Sequence, residues 1–146
     1  MNYLLDTDTV SYIIKKNSPF REPLLHKITA HKPSQIYISE LTQCELYYGL
    51  EHIAHDQAQY KETLSHAIHA LLGTLNILSL GKEAPSIYGK IRAGLISHGQ
   101  DIGVMDSLIA SQAIAHGMTL VTHNLKHFKR IQALPQMEMF KIVDWI

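Results

Sequence analysis

The sequence is poor in the features that mark several large classes of protein. It has one cysteine, Cys44, and one tryptophan, Trp145. A single thiol forms no internal disulfide and supplies no CxxC metal site, and it fits a reducing cytoplasm. No apolar run approaches the roughly 18 residues that a membrane-spanning helix needs. The opening stretch from Met1 to Leu5 is too short for the apolar core of a secretory leader, because Asp6 interrupts it. An excess of one charge is missing too: 13 basic and 13 acidic residues leave a formal net charge of zero at pH 7. Nucleic-acid binders are often basic, so this balance runs mildly against that class. The 10 histidines can add positive charge under mild acid, but they are scattered and form no HExxH pair. Neither a GxGxxG nor a Walker motif is present to cradle a nucleotide, which weakens the case for a nucleotide-binding α/β protein.

What is there is a chain of ordinary domain size. Its 146 residues are 46% hydrophobic, enough for one core, and no linker or repeat divides them. We read residues 1–146 as a single domain. Tyr3 to Leu5 is a short strand, and Asp8 can cap a helix running through Val10, Tyr12, Ile13 and Ile14. A helix over 22–31 follows, closed by Pro33. Gln35 to Ile38 has the β-branched and aromatic character of a strand, and Ser39 caps a helix from Glu40 to about Gly49. Helical spacing recurs over 56–72, over 84–95 and over 106–116. Strands are expected at 75–80, 118–122 and 140–143. This alternation predicts an α/β fold: a mainly parallel central sheet of four or five strands with helices on both faces. Ligands of such sheets bind beyond the carboxyl ends of the strands.

Three acids stand out against that frame. Asp6 ends an apolar strand, where it is either a turn residue or a charge in need of a partner. Asp106 opens a helix, where the dipole alone favours it by about 0.3–1 kcal/mol. Glu45 sits among Leu41, Cys44, Tyr47, Tyr48 and Leu50, either exposed or buried against a cation. Carboxylates brought together repel one another. A hard divalent cation relieves the repulsion, takes oxygen ligands, and suits phosphodiester hydrolysis by activating water. No Ser or Cys nucleophile is required, and Cys44 reads as a small buried hydrophobe.

These residues lie in segments that together resemble a known family. Tyr3-Leu4-Leu5-Asp6-Thr7-Asp8, the stretch from Ile38 to Gly49 carrying Glu45, Ile102 to Ala110 carrying Asp106, and Gly117 to Phe128 resemble, in order, four motifs of PIN domains. Asp144-Trp145 is similar to the closing of many members. Size and motif style most resemble VapC toxins. The resemblance implies a PIN-like three-layer fold and a Mg²⁺- or Mn²⁺-dependent endoribonuclease, the toxin of a type II toxin–antitoxin pair. It further implies a homodimer and inhibition by a VapB-type antitoxin. By the same carry-over Asp6 and Asp106 are the principal metal ligands, and Glu45 completes the catalytic set directly or through water. Asn124 stands where many members have a fourth acid, so it is a supporting, uncharged corner. Asp8 stands where the family often has Asn. It is either an added acid at the site or only the helix cap.

Around this centre, Thr7 and Thr122 are candidates for orienting carboxylates or water, or else are plain turn and strand-end residues. Lys126, His127, Lys129 and Arg130 follow the fourth motif, as phosphate contacts or as a solvated basic loop, and Arg92 is a weaker addition. Tyr47 and Tyr48 fit a dimer or antitoxin contact, or the core, better than base stacking. Two other readings compete: a PIN-fold module for binding RNA or protein with weak catalysis, and a nuclease directed at DNA.

Overall fold

The computed structural model describes all residues 1–146. Five strands form one sheet: β1 (Tyr3–Leu5), β2 (Ile36–Ser39), β3 (Asn76–Leu78), β4 (Thr119–Val121) and β5 (Lys141–Val143). Seven α-helices accompany them: α1 (Thr7–Ile14), α2 (Arg21–Thr29), α3 (Glu40–Glu51), α4 (Ala58–Leu72), α5 (Ala84–Ser97), α6 (Val104–Ala115) and α7 (Leu125–Gln132). The strand order is β3-β2-β1-β4-β5 and every pairing is parallel. The expected parallel sheet is therefore present, with five strands.

Sequence alternation explains the two-sided packing. Successive strand residues point to opposite faces. Leu4 and Leu120 join Ile91, Leu95, Ile109 and Phe128 in the core under α5, α6 and α7. Their neighbours Leu5 and Val121 join Val10, Leu24, Ile38 and Ile68 in the core under α1 to α4. Strands buried on both faces read as continuous apolar runs, which is why three residues suffice to announce β1. Strand order reverses at β1, whose successors in the chain lie on one side and β4 on the other. The carboxyl end of β1 thus borders the crevice where such sheets take ligands.

Several boundaries move for local reasons. The cap of α1 is Asp6, not Asp8: β1 ends at Leu5 and the helix starts at Thr7, leaving one linking residue, and its carboxylate accepts from the Thr9 N–H at 2.9 Å. Asp8 falls in the first turn of α1, where the dipole favours an acid. Helix α6 begins at Val104, before Asp106, because Gly103 takes the positive φ of 97° that turns the chain into it. The basic segment after β4 is no loop. It is α7, fixed by burying Phe128 and Ile131. Cys44 is exposed on α3 and not a buried hydrophobe.

One buried polar bridge ties the helices to the strand ends. Ser39, the cap of α3, donates its hydroxyl to the Gln112 side-chain carbonyl of α6. The Gln112 amide in turn donates to the carbonyls of Leu78 (3.3 Å) and Ser79 (3.0 Å). The Ser39 and Gln112 side chains are fully buried, so cutting the bridge leaves unpaired buried donors and acceptors. Gln112→Ala is expected to cost about 1–3 kcal/mol. Urea melts of the two proteins measure this, and an unchanged midpoint would show that the bridge adds nothing.

Candidate active site

Asp6 emerges from the end of β1 and is 3% exposed. Its N–H donates to the Val121 carbonyl at 3.0 Å, continuing the β1–β4 ladder one residue past the strands. Burial raises its carboxyl above the ordinary value, and the Thr122 hydroxyl and the Thr9 hydroxyl and N–H offset part of this. Thr122 also accepts from the Asn124 N–H at 3.0 Å. It thereby links Asp6 to the turn after β4. Thr7 does not orient a carboxylate: its hydroxyl bonds that of Thr42 at 2.9 Å and fastens α1 to α3.

Asp106 lies in the first turn of α6, with a third of its side chain exposed. Its carboxyl is raised to about 6, first by burial, then by the negative charges of Asp6 and Asp8, while His127 pulls it back. The fold therefore brings Asp6 and Asp106 within electrostatic reach, with Asp8 as a third negative neighbour. His127 Nδ1 stands 3.8 Å from Asp106 Oδ2, buried and without a hydrogen-bond partner. Ser107 Oγ, one residue along, is orphaned in the same way. Tyr12 feels this field too: its phenol is raised by burial and by Asp8 and Asp6, so it stays protonated at neutral pH.

Glu45 does not share this electrostatic coupling. It is partly buried on α3, where with Ser11 and Lys15 it forms the polar rim of an otherwise mostly apolar groove between α1, α3 and α4. Its charge is not among those that shift Asp6 or Asp106. No three acids, histidines or cysteines stand as a ready ligand cage. The expected tight set of three acids is thus resolved into a coupled pair, Asp6 and Asp106, with Asp8 nearby and Glu45 on the flank. Two carboxylates with space left for water and phosphate are the donor set that Mg²⁺ commonly uses, since it keeps several waters and rarely occupies an all-protein cage. The residues therefore fit a hard divalent cation.

Asn124 stands at the start of α7, partly buried, with its side-chain amide uncommitted. Lys126 and Lys129 project from α7 into solvent. Arg130 is held back by donating to the Asp101 carbonyl at 3.4 Å, and Arg92 is paired with the Asp101 carboxylate. Of the basic residues singled out in the sequence, the two lysines are the free ones. The role of Thr9 was missed. Counting three residues on from Asp6 as a helix cap finds it, once β1 and α1 are recognised as adjoining.

The chain is similar to known proteins over nearly its whole length. A family model described as the PIN domain matches residues 3–134. Ribonuclease VapC2 of Haemophilus influenzae is 35% identical over 136 residues, covering 92% of this chain and 95% of that one. The tRNA(fMet)-specific endonuclease VapC of Salmonella typhimurium is 30% identical over 145 residues, covering 99% and 98%. Among solved structures, VapBC2 from Rickettsia felis bound to a fragment of its promoter DNA contains a chain with a TM-score of 0.79 and 32% identity, with both chains fully covered. DNA-bound VapBC from Salmonella typhimurium gives 0.81 and 29%, covering 100% of this chain and 99% of that one.

Proposed function

The chain belongs to the PIN-domain family, among its VapC ribonucleases, and from that premise we propose that it is a Mg²⁺- or Mn²⁺-dependent endoribonuclease, the toxin of a type II toxin–antitoxin pair. The observation that carries the metal reading is the pair of carboxylates at the carboxyl end of the central strand, where burial first, and then the charges of Asp6 and Asp8, raise Asp106 to about 6. A bound divalent cation would lower the pKa of water and neutralise charge on the phosphate. Asp6 and Asp106 hold that cation. Thr9 and Thr122 fix the rotamer of Asp6, so its carboxylate is aimed before any ligand arrives. Asn124 offers a neutral acceptor at the fourth corner. Glu45 acts from the flank, through water. Lys126 and Lys129 draw RNA phosphates toward the pair, and Arg130 adds to them only when released from Asp101.

Two partners are supported by the relatives, an RNA substrate and a VapB-type antitoxin; a second copy of the chain, forming a homodimer, is part of the same proposal. A short neighbouring gene for a DNA-binding protein, whose product rescues cells from induction of this one, is the genetic test of the pairing.

Metal removal tests the chemistry. The purified protein is expected to cleave RNA with Mg²⁺ or Mn²⁺, to leave a matched DNA strand intact, and to stop when EDTA is added. Calorimetry is expected to show Mn²⁺ binding that Asp6→Asn removes. Undiminished cleavage in EDTA would refute the metal requirement, and equal cleavage of DNA would move the substrate class.

A further inference from the structure

Beside the acidic pair lies a small cavity of about 240 Å³, lined by only four residues: Asp8, Tyr12, His123 and Asn124. Asp8 and Tyr12 are one turn apart on α1, and His123 and Asn124 form the turn between β4 and α7. The two walls are propped from behind. Phe20 packs its ring against Tyr12 and against His123, each with centroids 5.0 Å apart. His123 is also pinned at one edge, where Nδ1 meets Asp144 Oδ2 at 2.9 Å. A carboxylate only accepts, so Nδ1 carries the hydrogen there.

The polar groups of this cavity are unsatisfied within the chain. No hydrogen bond within the chain engages the Tyr12 hydroxyl, His123 Nε2, the Asn124 side-chain amide or the Asp8 carboxylate. No lysine or arginine lines it, and Asp8 repels a phosphate. Rigid aromatic walls, a neutral amide and an excess of acceptors suit a flat, uncharged ligand that donates hydrogen bonds. Unstacked RNA bases are read by aromatic stacking and by hydrogen bonds to their edges, and carboxylates accept from exocyclic amines.

We propose that this cavity is a nucleobase pocket, which takes the base next to the scissile phosphate and prefers bases carrying an exocyclic amine over uracil. The inference rests on the nuclease reading for its place in the reaction, since Thr122 and Asp8 connect the pocket to Asp6 and Asp106. Tyr12 and His123 are its stacking walls, and Asp8 is the group that distinguishes an amine from a carbonyl.

Mononucleotide binding to metal-free protein tests this without requiring cleavage. Labelled protein is titrated with 5′-AMP, CMP, GMP, UMP and ribose 5-phosphate while the side-chain signals of Tyr12 and His123 are followed by NMR. AMP, CMP and GMP are expected to shift those signals and to bind at least about fivefold more tightly than UMP or ribose 5-phosphate. Tyr12→Ala is expected to weaken AMP by about tenfold, in line with the loss of one stacked base. His123→Ala should act in the same direction, and Tyr12→Phe should retain most of the binding. Asp8→Asn should erase the preference over UMP. Equal affinity for AMP and ribose 5-phosphate, or equal affinity for AMP and UMP, would overturn the proposal. The nuclease reading fails separately, if RNA survives with Mn²⁺ present.

Discussion

Asp106→Asn should lower kcat/KM for RNA cleavage by about 10³-fold, equivalent to about 4 kcal/mol of transition-state stabilisation, and should make the metal-free protein more stable. The two effects have one cause. In the folded chain the Asp106 carboxyl is raised to about 6 by burial and by Asp6 and Asp8. The native state therefore binds this proton more tightly than the unfolded chain, whose carboxyl titrates near 3.8. By linkage, the stability tied to that proton is fully present below pH 3.8 and is lost as pH rises through about 6. An uncharged Asn escapes the loss. With a third of the side chain exposed and water screening the repulsion, the gain at pH 7.5 should be about 1 kcal/mol, vanishing near pH 4. Urea melts of both proteins in EDTA at the two pH values measure it. A variant that is less stable than the parent at pH 7.5 would show that the carboxylate has a favourable partner instead. Asp6→Asn should match the loss in rate, and the double variant should be little worse than either, because groups holding one cation fail as a unit.

Phe128→Ala should be the most damaging single change away from the acids. Phe128 is fully buried in the core under α5, α6 and α7, with the ring of Phe140 set edge-on at 6.4 Å. Truncating it removes apolar burial and leaves a cavity, at a cost of about 3–5 kcal/mol. Domains of this kind have about 5–15 kcal/mol in all, so the variant should be marginal. A fall of about 2 M in the urea midpoint is the expected reading. Phe128→Leu should lose much less, since it leaves a smaller void. The reach of the change is functional as well. Phe128 and Ile131 are the buried residues of α7, and the same helix carries Lys126, Lys129 and His127. Losing the anchor should weaken RNA binding even at temperatures where the chain is still folded. If binding and its salt dependence are unaffected, the basic face of α7 does not meet RNA.

How much of this was legible in the sequence differs between the fold and the site. Alternating strand and helix patterns sufficed for the parallel sheet because its central strands, β1 and β4, are almost wholly buried and read as short apolar runs between helical segments. The missed α7 shows the limit. Lys126, Lys129 and Arg130 make its sequence look like a solvated loop, and only Phe128 and Ile131, three apart, hint at a packed face. Asp6 and Asp106 could be named because each lies in a segment that resembles a PIN motif; alone, one reads equally as a turn residue and the other as a helix-end charge. The position of Glu45 could not be foreseen, because one helical turn of rotation decides whether α3 aims a side chain at the crevice or at the groove beside it. Spacing likewise gave no sign that Phe20 backs both Tyr12 and His123. That contact joins residues from α1, the segment before α2 and the turn after β4, and depends on how those segments dock.

The central strand of this sheet is also the first to leave the ribosome. Asp6 is made early, but β4 and α6, which complete its surroundings, lie about 100 residues later in the chain. At about 5–20 residues per second, Asp6 waits roughly 5–20 s before Asp106 exists to stand beside it. Through that interval the nascent chain has no acidic pair, and so lacks the site proposed to cut RNA. Activity arrives only with the last third of the protein, which gives an antitoxin already present in the cell time to meet the chain as its site first forms.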